Sequence, residues 1–460
     1  MAILWRAAAG VAILAAFAAG VVTMLVVVFD LRVELAGSGL RPIFSFGDRE
    51  AHYDALDAHR AALPAPARPA ATAARWTDFR GPHRDGRYTE TAIRTDWPGT
   101  GLERLWHHPV GGGYASFVVA DGLAYTIEQR RDEEVVSAYD LETGAEHWTR
   151  AWAARFEEAM GGPGPRATPT WHDGRLYALG ATGRLLCLEA GTGELVWERN
   201  ILSDGNAANL PWAMSGAPLV VDDLVVVLPG GTEGWSVAAY DRHTGDVAWH
   251  VLDDVQAYAS PMLVTLGGVR QVVVVTAERA VGLRPTDGQL LWEYPWEVAT
   301  VPNVAQPVPV GDDRLFLSAS YGKGAALIEL APDGDRFTAS TVWETHRMRN
   351  RISSSVVVGG YIYGLDHAIL ACLDAATGEL LWKGGRYGDG QLLAAGDHLV
   401  VLTEDGDVVL VRATPEGHQE IAGFSAIDGK TWNVPAIAGG RLLVRNTREM
   451  AAFDLSPGRG

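Results

Sequence analysis

Seven side chains combine polar chemistry with a repeated location. Arg166, Asn303, Gln306, Arg351, Gln391, Trp432 and Asn433 stand at the starts of short β-branched runs. Corresponding starts elsewhere carry small residues, hydroxyls and proline, as in Ser215-Gly216-Ala217-Pro218 and Ser353-Ser354-Ser355. Brought to one axis, the seven offer guanidinium and amide donors and one indole plane, the lining of a polar pocket for a small ligand. The same starts also suit a crowded axis whose hydroxyls bind water, with Trp432 as a plug. The residues alone leave both readings open.

Other chemistry is sparse. Cys187 and Cys372 are the two cysteines of the chain, which excludes zinc sites of the CxxC type. Gly111-Gly112-Gly113 and Gly230-Gly231 sit between β runs rather than before helices, so they do not cradle phosphate. No nucleophile elbow and no cluster of metal ligands stands out, and no residue is assigned a catalytic role. Glu157-Glu158 and Asp204 fall in two long connections, 153–165 and 200–214, that reach the same face; solvated carboxylates are expected there. A net charge of −18 excludes nucleic acid as a partner.

The elements that must position these residues come from a repeat. The phrase Ala138-x-Asp140-x-x-Thr143-Gly144-x-x-x-Trp148 returns at Ala239–Trp249 and Cys372–Trp382, and with substitutions at Cys187–Trp197 and Gly282–Trp292. A period of roughly 40–50 residues marks a repeat architecture. Thr-Gly is a tight turn, the Asp before it accepts backbone N–H groups, and the Trp docks on a neighbouring repeat. Both cysteines occupy the small first position of a phrase and are expected as buried, unpaired core residues.

Each repeat reads as four strands, the unit of a propeller blade. Docking positions are Trp106, Trp148, Trp197, Trp249, Trp292, Trp343, Trp382 and, in a degenerate copy, Ile421; the copy ending at Trp343 carries an insertion at Asp333-Gly334-Asp335. The last repeat stops after Ala452-x-Asp454, whereas Leu102–Trp106 is a fourth strand with no blade before it. The N-terminal strand therefore closes the ring, and the expected fold is an all-β, eight-bladed propeller over 102–455.

Ahead of it, residues 31–101 read as a stalk, a linker and a lead-in, with a short helix over 48–63 (Ala51, Leu56, His59 and Ala62 on one face) and a Pro/Ala stretch at 63–70. Val11–Phe29 is an uncharged apolar run long enough, at roughly 28 Å, to cross a bilayer as a helix, so residues 1–30 are expected as a membrane anchor rather than a cleaved signal.

These phrases resemble the repeats of the pyrroloquinoline quinone (PQQ)-binding-like β-propeller superfamily, in which the phrase is a tryptophan-docking motif. Trp76-x-x-Phe79-Arg80-Gly81-Pro82-x-Arg84-Asp85-Gly86 is similar to the lead-in of bacterial members. The resemblance implies a place outside the cytoplasm and one of two functions: a binding scaffold for envelope or membrane proteins, as in BamB-type propellers, or a quinoprotein oxidoreductase holding PQQ with calcium. No cysteine precedes Cys187, so the lipid-bearing cysteine of BamB-type lipoproteins has no counterpart, and the adjacent cysteines of quinoprotein dehydrogenases are missing too. The quoted run starts hold no Asp or Glu for a calcium cage. A protein-binding scaffold is the favoured reading, with a small-ligand site at the channel mouth or quinoprotein chemistry as the alternative.

Overall fold

The computed structural model describes residues 21, 24, 31–36, 41–46, 49–63, 72–73, 75–298 and 303–457. Among them, eight antiparallel sheets of four consecutive strands follow one another: 118–153, 170–200, 219–251, 262–295, 308–345, 356–386, 391–425, and 436–454 completed by Arg104–Pro109. These are blades 1 to 8. In blade 8 the N-terminal strand pairs with Glu449–Asp454, setting Trp106 opposite Ala452. Blade 7 carries a fifth strand, Arg87–Tyr88, laid parallel to its innermost strand.

Each outer hairpin is built alike. The first residue of the phrase lies directly opposite the phrase's own Trp in seven blades, as Ala138 opposite Trp148 and Cys187 opposite Trp197, whereas in blade 7 Leu410 faces Ala422; a β-bulge follows the first residue in all eight. A bulge raises local twist and re-aims the side chain beyond it, here toward the next blade. The indole N–H groups of Trp106, Trp148, Trp197, Trp249, Trp343 and Trp382 donate across the blade boundary to the carbonyls of Leu141, Ala190, Arg242, Pro285, Ala375 and Thr414, at 2.8–3.1 Å. The turn glycine lies under the ring: a Cβ on Gly245 would sit 2.8 Å from Trp197 Cδ2, and its φ of +75° already favours glycine. Asp140 Oδ1 accepts from the backbone of Glu142 and Thr143, closing the turn.

Trp292 departs from the docking expectation. Its indole N–H donates to Gln271 Oε1 inside its own blade. The reason lies next door: the insertion extends blade 5 into a hairpin of two ten-residue strands, Gly324–Asp333 and Arg336–Thr345, so no Thr-Gly turn offers a carbonyl. Tyr294 instead bonds Thr341 and Glu344 of that hairpin, and Gly282 leaves room for the turned-in indole.

The chain ahead of the ring is bound to it. Helix Arg49–Ala62 buries Tyr53 and Leu56, while Ala51 and Ala62 of the expected face are exposed, because the tyrosine has far more area to bury. Arg131 of blade 1 reaches Glu50, Asp54 and Asp57 at 3.0, 2.6 and 2.6 Å, and Arg60 pairs with Glu146 at 2.6 Å. The expected membrane helix over Val11–Phe29 lies outside the described residues except for Val21 and Met24, and no described helix is long and apolar enough to cross a membrane.

Candidate functional site

One end of the central channel is corked by the lead-in. Trp76 exchanges both backbone hydrogen bonds with Val119. Arg84 is buried and spends its guanidinium on carbonyls of blades 3 and 4, with Nη1 to Ala217 O at 3.1 Å and Pro261 O at 2.9 Å, while Nη2 meets Asp78 Oδ1 and Thr170 Oγ1 at 3.0 Å each. Arg80 donates to Ser355 O at 2.9 Å on the far side. Both arginines hold positive φ, +65° and +57°, a conformation that persists where surrounding contacts over-determine it. Burial pulls Arg80 down to about 10, so it stays charged at neutral pH.

With the cork in place, the opposite mouth becomes a blind cup of about 180 Å³, with Phe79 of the lead-in on its floor. Four of the seven sequence candidates line it: Arg166, Arg351, Gln391 and Trp432. The other three lie behind its wall. Asn303 Nδ2 donates to Thr276 O and Trp296 O, Asn433 Nδ2 to Gly113 O and Ala115 O, and Gln306 Oε1 accepts from Ser260 N. These amides replace backbone ladder bonds where the strands begin.

The guanidiniums are paired. Arg166 Nη2 meets Glu158 Oε1 at 3.0 Å and Gly162 O at 3.0 Å, so it holds the 157–163 hairpin in the wall. Glu158 therefore belongs to the cup rather than to solvent, unlike the sequence expectation, because Arg166 and the N–H groups of Met160 and Gly161 fix it there. Asp204, in the other long connection, accepts from Tyr240 OH at 2.9 Å. Arg351 Nη1 meets Asp389 Oδ2 at 2.6 Å. Burial pushes Asp389 up to about 6, against the pull of Arg351 and helped by the nearby Glu404, whose Oε1 accepts from Trp432 Nε1 at 2.9 Å. Lys430 spans the mouth, its Nζ on Met160 O at 2.8 Å and over the Trp432 ring at 4.6 Å.

Sequence reasoning missed Asp389, which stands one residue before the Gly390-Gln391 start, and Tyr258, one residue before Ala259-Ser260-Pro261. Widening each start by one position finds both. Trp212 and Tyr321 come from loops with no repeat register and carried no signal.

These residues do not fit a PQQ–calcium centre. PQQ is a tricarboxylate, and to reach the two guanidiniums of the cup its carboxylates would have to displace Glu158 and Asp389, which already pair with them. Among the described residues no group of three or more His, Cys, Asp or Glu is arranged to hold a metal. Cys187 and Cys372 are buried and unpaired in separate blades, and burial pushes the Cys372 thiol up to about 12.

The outer membrane protein assembly factor BamB of Yersinia pestis is 25% identical over 286 residues, 57% of this chain and 70% of that protein. A 1-butanol dehydrogenase (cytochrome c) of Thauera butanivorans is 30% identical over 165 residues, 34% of this chain and only 23% of the dehydrogenase. Two solved structures share the fold: BamB from Moraxella catarrhalis, TM-score 0.56 at 16% identity over 77% of this chain and 99% of that one, and quinohemoprotein alcohol dehydrogenase from Comamonas testosteroni, TM-score 0.61 at 14% identity over 89% and 85%. A family model described as outer membrane protein assembly factor BamB matches residues 131–384, more than half of the chain. Eight blades and a shared repeat across that span make this chain a member of the BamB family of PQQ-like β-propellers.

Proposed function

We propose that this chain is a membrane-associated, extracytoplasmic binding platform for envelope proteins engaged in outer membrane protein assembly. The observation that carries the reading is the family match across 131–384, which spans blade 2 through blade 5 whole and most of blades 1 and 6. The ring supports it physically. Indole docking and N-terminal closure hold the blades at fixed angles, so loops and outer strands present a preformed surface and association costs little ordering. The apolar run 11–29 supplies the attachment to the membrane in this reading.

The rival activity, quinoprotein oxidation of alcohols, is separated by reconstitution. The full chain incubated with PQQ and calcium is expected to show neither saturable PQQ binding nor dye-linked alcohol oxidation. Saturable binding with turnover would replace the platform reading.

A further inference from the structure

The cup has a chemical character of its own, independent of any protein partner. Aromatic rings form two of its walls. Tyr114 and Trp432 lie with centroids 5.5 Å apart, tilted by 31°, at the junction of blades 8 and 1. Trp212 and Tyr258 lie 5.5 Å apart, tilted by 44°, on the loops entering blades 3 and 4. The ion pairs form two other walls. Arg166 leads into blade 2 and Arg351 into blade 6, four blades apart in a ring of eight and so on opposite sides of the axis. Ser260, Ser354 and Gln391 add short polar groups between them.

Each ligand class meets this lining differently. An anion must compete with Glu158 and Asp389 for guanidiniums they already hold. A wholly apolar molecule would strip water from two ion pairs and return no hydrogen bonds. A neutral ring with equatorial hydroxyls satisfies both kinds of wall. Its C–H faces lie on indole and phenol rings, while its edge hydroxyls donate to carboxylates and accept from guanidiniums and the amide. Size agrees: an engineered cavity of about 150 Å³ holds one benzene, so a cup of about 180 Å³ admits one six-membered ring, with further units outside the mouth.

We infer that the channel mouth is a binding site for a neutral carbohydrate, one pyranose ring seated between the aromatic walls with its hydroxyls on the Arg351–Asp389 and Arg166–Glu158 pairs. The site is open at the rim, where Tyr321 is 40% exposed.

The test titrates the full chain with N-acetylglucosamine, diacetylchitobiose and maltose, and with PQQ and indole as the anionic and apolar probes. Tryptophan fluorescence and calorimetry read the binding. At least one neutral sugar is expected to saturate, while PQQ and indole do not. Trp432→Ala and Asp389→Asn are each expected to weaken that sugar at least about tenfold, the scale of a lost aromatic or charged anchor. Asp389→Asn is also expected to gain affinity for PQQ, because Arg351 is then uncompensated. Thermal melts identify any variant that fails to fold. Saturation-transfer NMR on the unaltered chain gives a second readout, with the sugar's C–H protons receiving magnetisation from aromatic rings. Failure of all three sugars to saturate, preference for PQQ or indole, or unchanged sugar affinity in both folded variants overturns the proposal. None of these outcomes depends on whether an envelope protein binds the ring.

Discussion

Arg94 donates its backbone N–H to the carbonyl of Leu455 at 2.8 Å. Leu455 follows Asp454 as Leu141 follows Asp140, so its carbonyl occupies the position that takes an indole N–H on blades 1 to 4 and 6. The indole is missing because the degenerate repeat has Ala422, opposite Leu410, where the others have Trp; Ile421, the expected docking residue, falls in the bulge and is exposed. The lead-in supplies the donor instead, and Trp97 beside it packs edge-on against Phe424 of blade 7 at 5.7 Å. The seam between blades 7 and 8 is thus sealed by the segment that also corks the channel. Trp97→Ala is expected to cost about 3–5 kcal/mol, the usual range for a buried large aromatic, and to loosen this seam first. Hydrogen exchange should show faster exchange at Ala451–Phe453 than at the matching strand of blade 2.

Gly245 carries two constraints at once, positive φ and the ring of Trp197 above it. Gly245→Ala is therefore expected to destabilise by more than about 1 kcal/mol, whereas Gly268→Ala, which has equal φ strain but open space around it, should cost less. Urea unfolding of the two variants gives the comparison. Equal costs would mean that the docked ring yields freely.

Arg84 satisfies carbonyls of two neighbouring blades and pairs with Asp78 at 3.0 Å while almost fully buried. Arg84→Met is expected to cost about 3–5 kcal/mol, because Asp78 and the carbonyls lose their donor together. The cork should then loosen, detected as proteolysis near residues 75–86 at concentrations of protease that spare the parent chain.

Glu134 contributes stability that falls as pH rises from about 4 to about 7. Glu134 is wholly buried, its Oε1 accepting from Ala181 N at 2.9 Å, and burial pushes its carboxyl up to about 7. Unfolded, it titrates near 4.3, so between those values the native state binds the extra proton. The stabilisation is full below about pH 4 and is lost as pH rises through about 7, amounting to roughly 4 kcal/mol. Asp389, pushed up to about 6, adds in the same direction. Glu128 behaves oppositely: burial would raise it, but Arg130 and Arg445 hold it at about 2, so its contribution disappears only in strong acid. Glu134→Gln should flatten the slope of unfolding free energy between about pH 4 and 7. An unchanged slope would show that Glu134 is not the group responsible.

Much of the ring was legible because one phrase encodes a turn, a small pocket and a docking ring at fixed spacing. Its copies gave the blade count, and the broken last copy located the closure by Trp106. The phrase could not announce the failure at Trp292, which depends on what the next blade offers rather than on its own spacing. It was also silent about Arg94, since a backbone N–H leaves no mark on residue type. The cup was half legible: Arg166, Arg351, Gln391 and Trp432 sit at repeat positions, whereas Glu158, Trp212 and Tyr321 come from loops whose path is set by packing alone.

The most direct measurement of the central claim is photocrosslinking of the full chain in its native membranes, with the probe placed at exposed outer-strand positions such as Leu105, Val247 and Leu381. The platform reading predicts position-specific crosslinks to proteins of outer membrane protein assembly, with the strongest confined to adjacent blades. Crosslinks absent at every position, or spread evenly over abundant unrelated proteins, would contradict it.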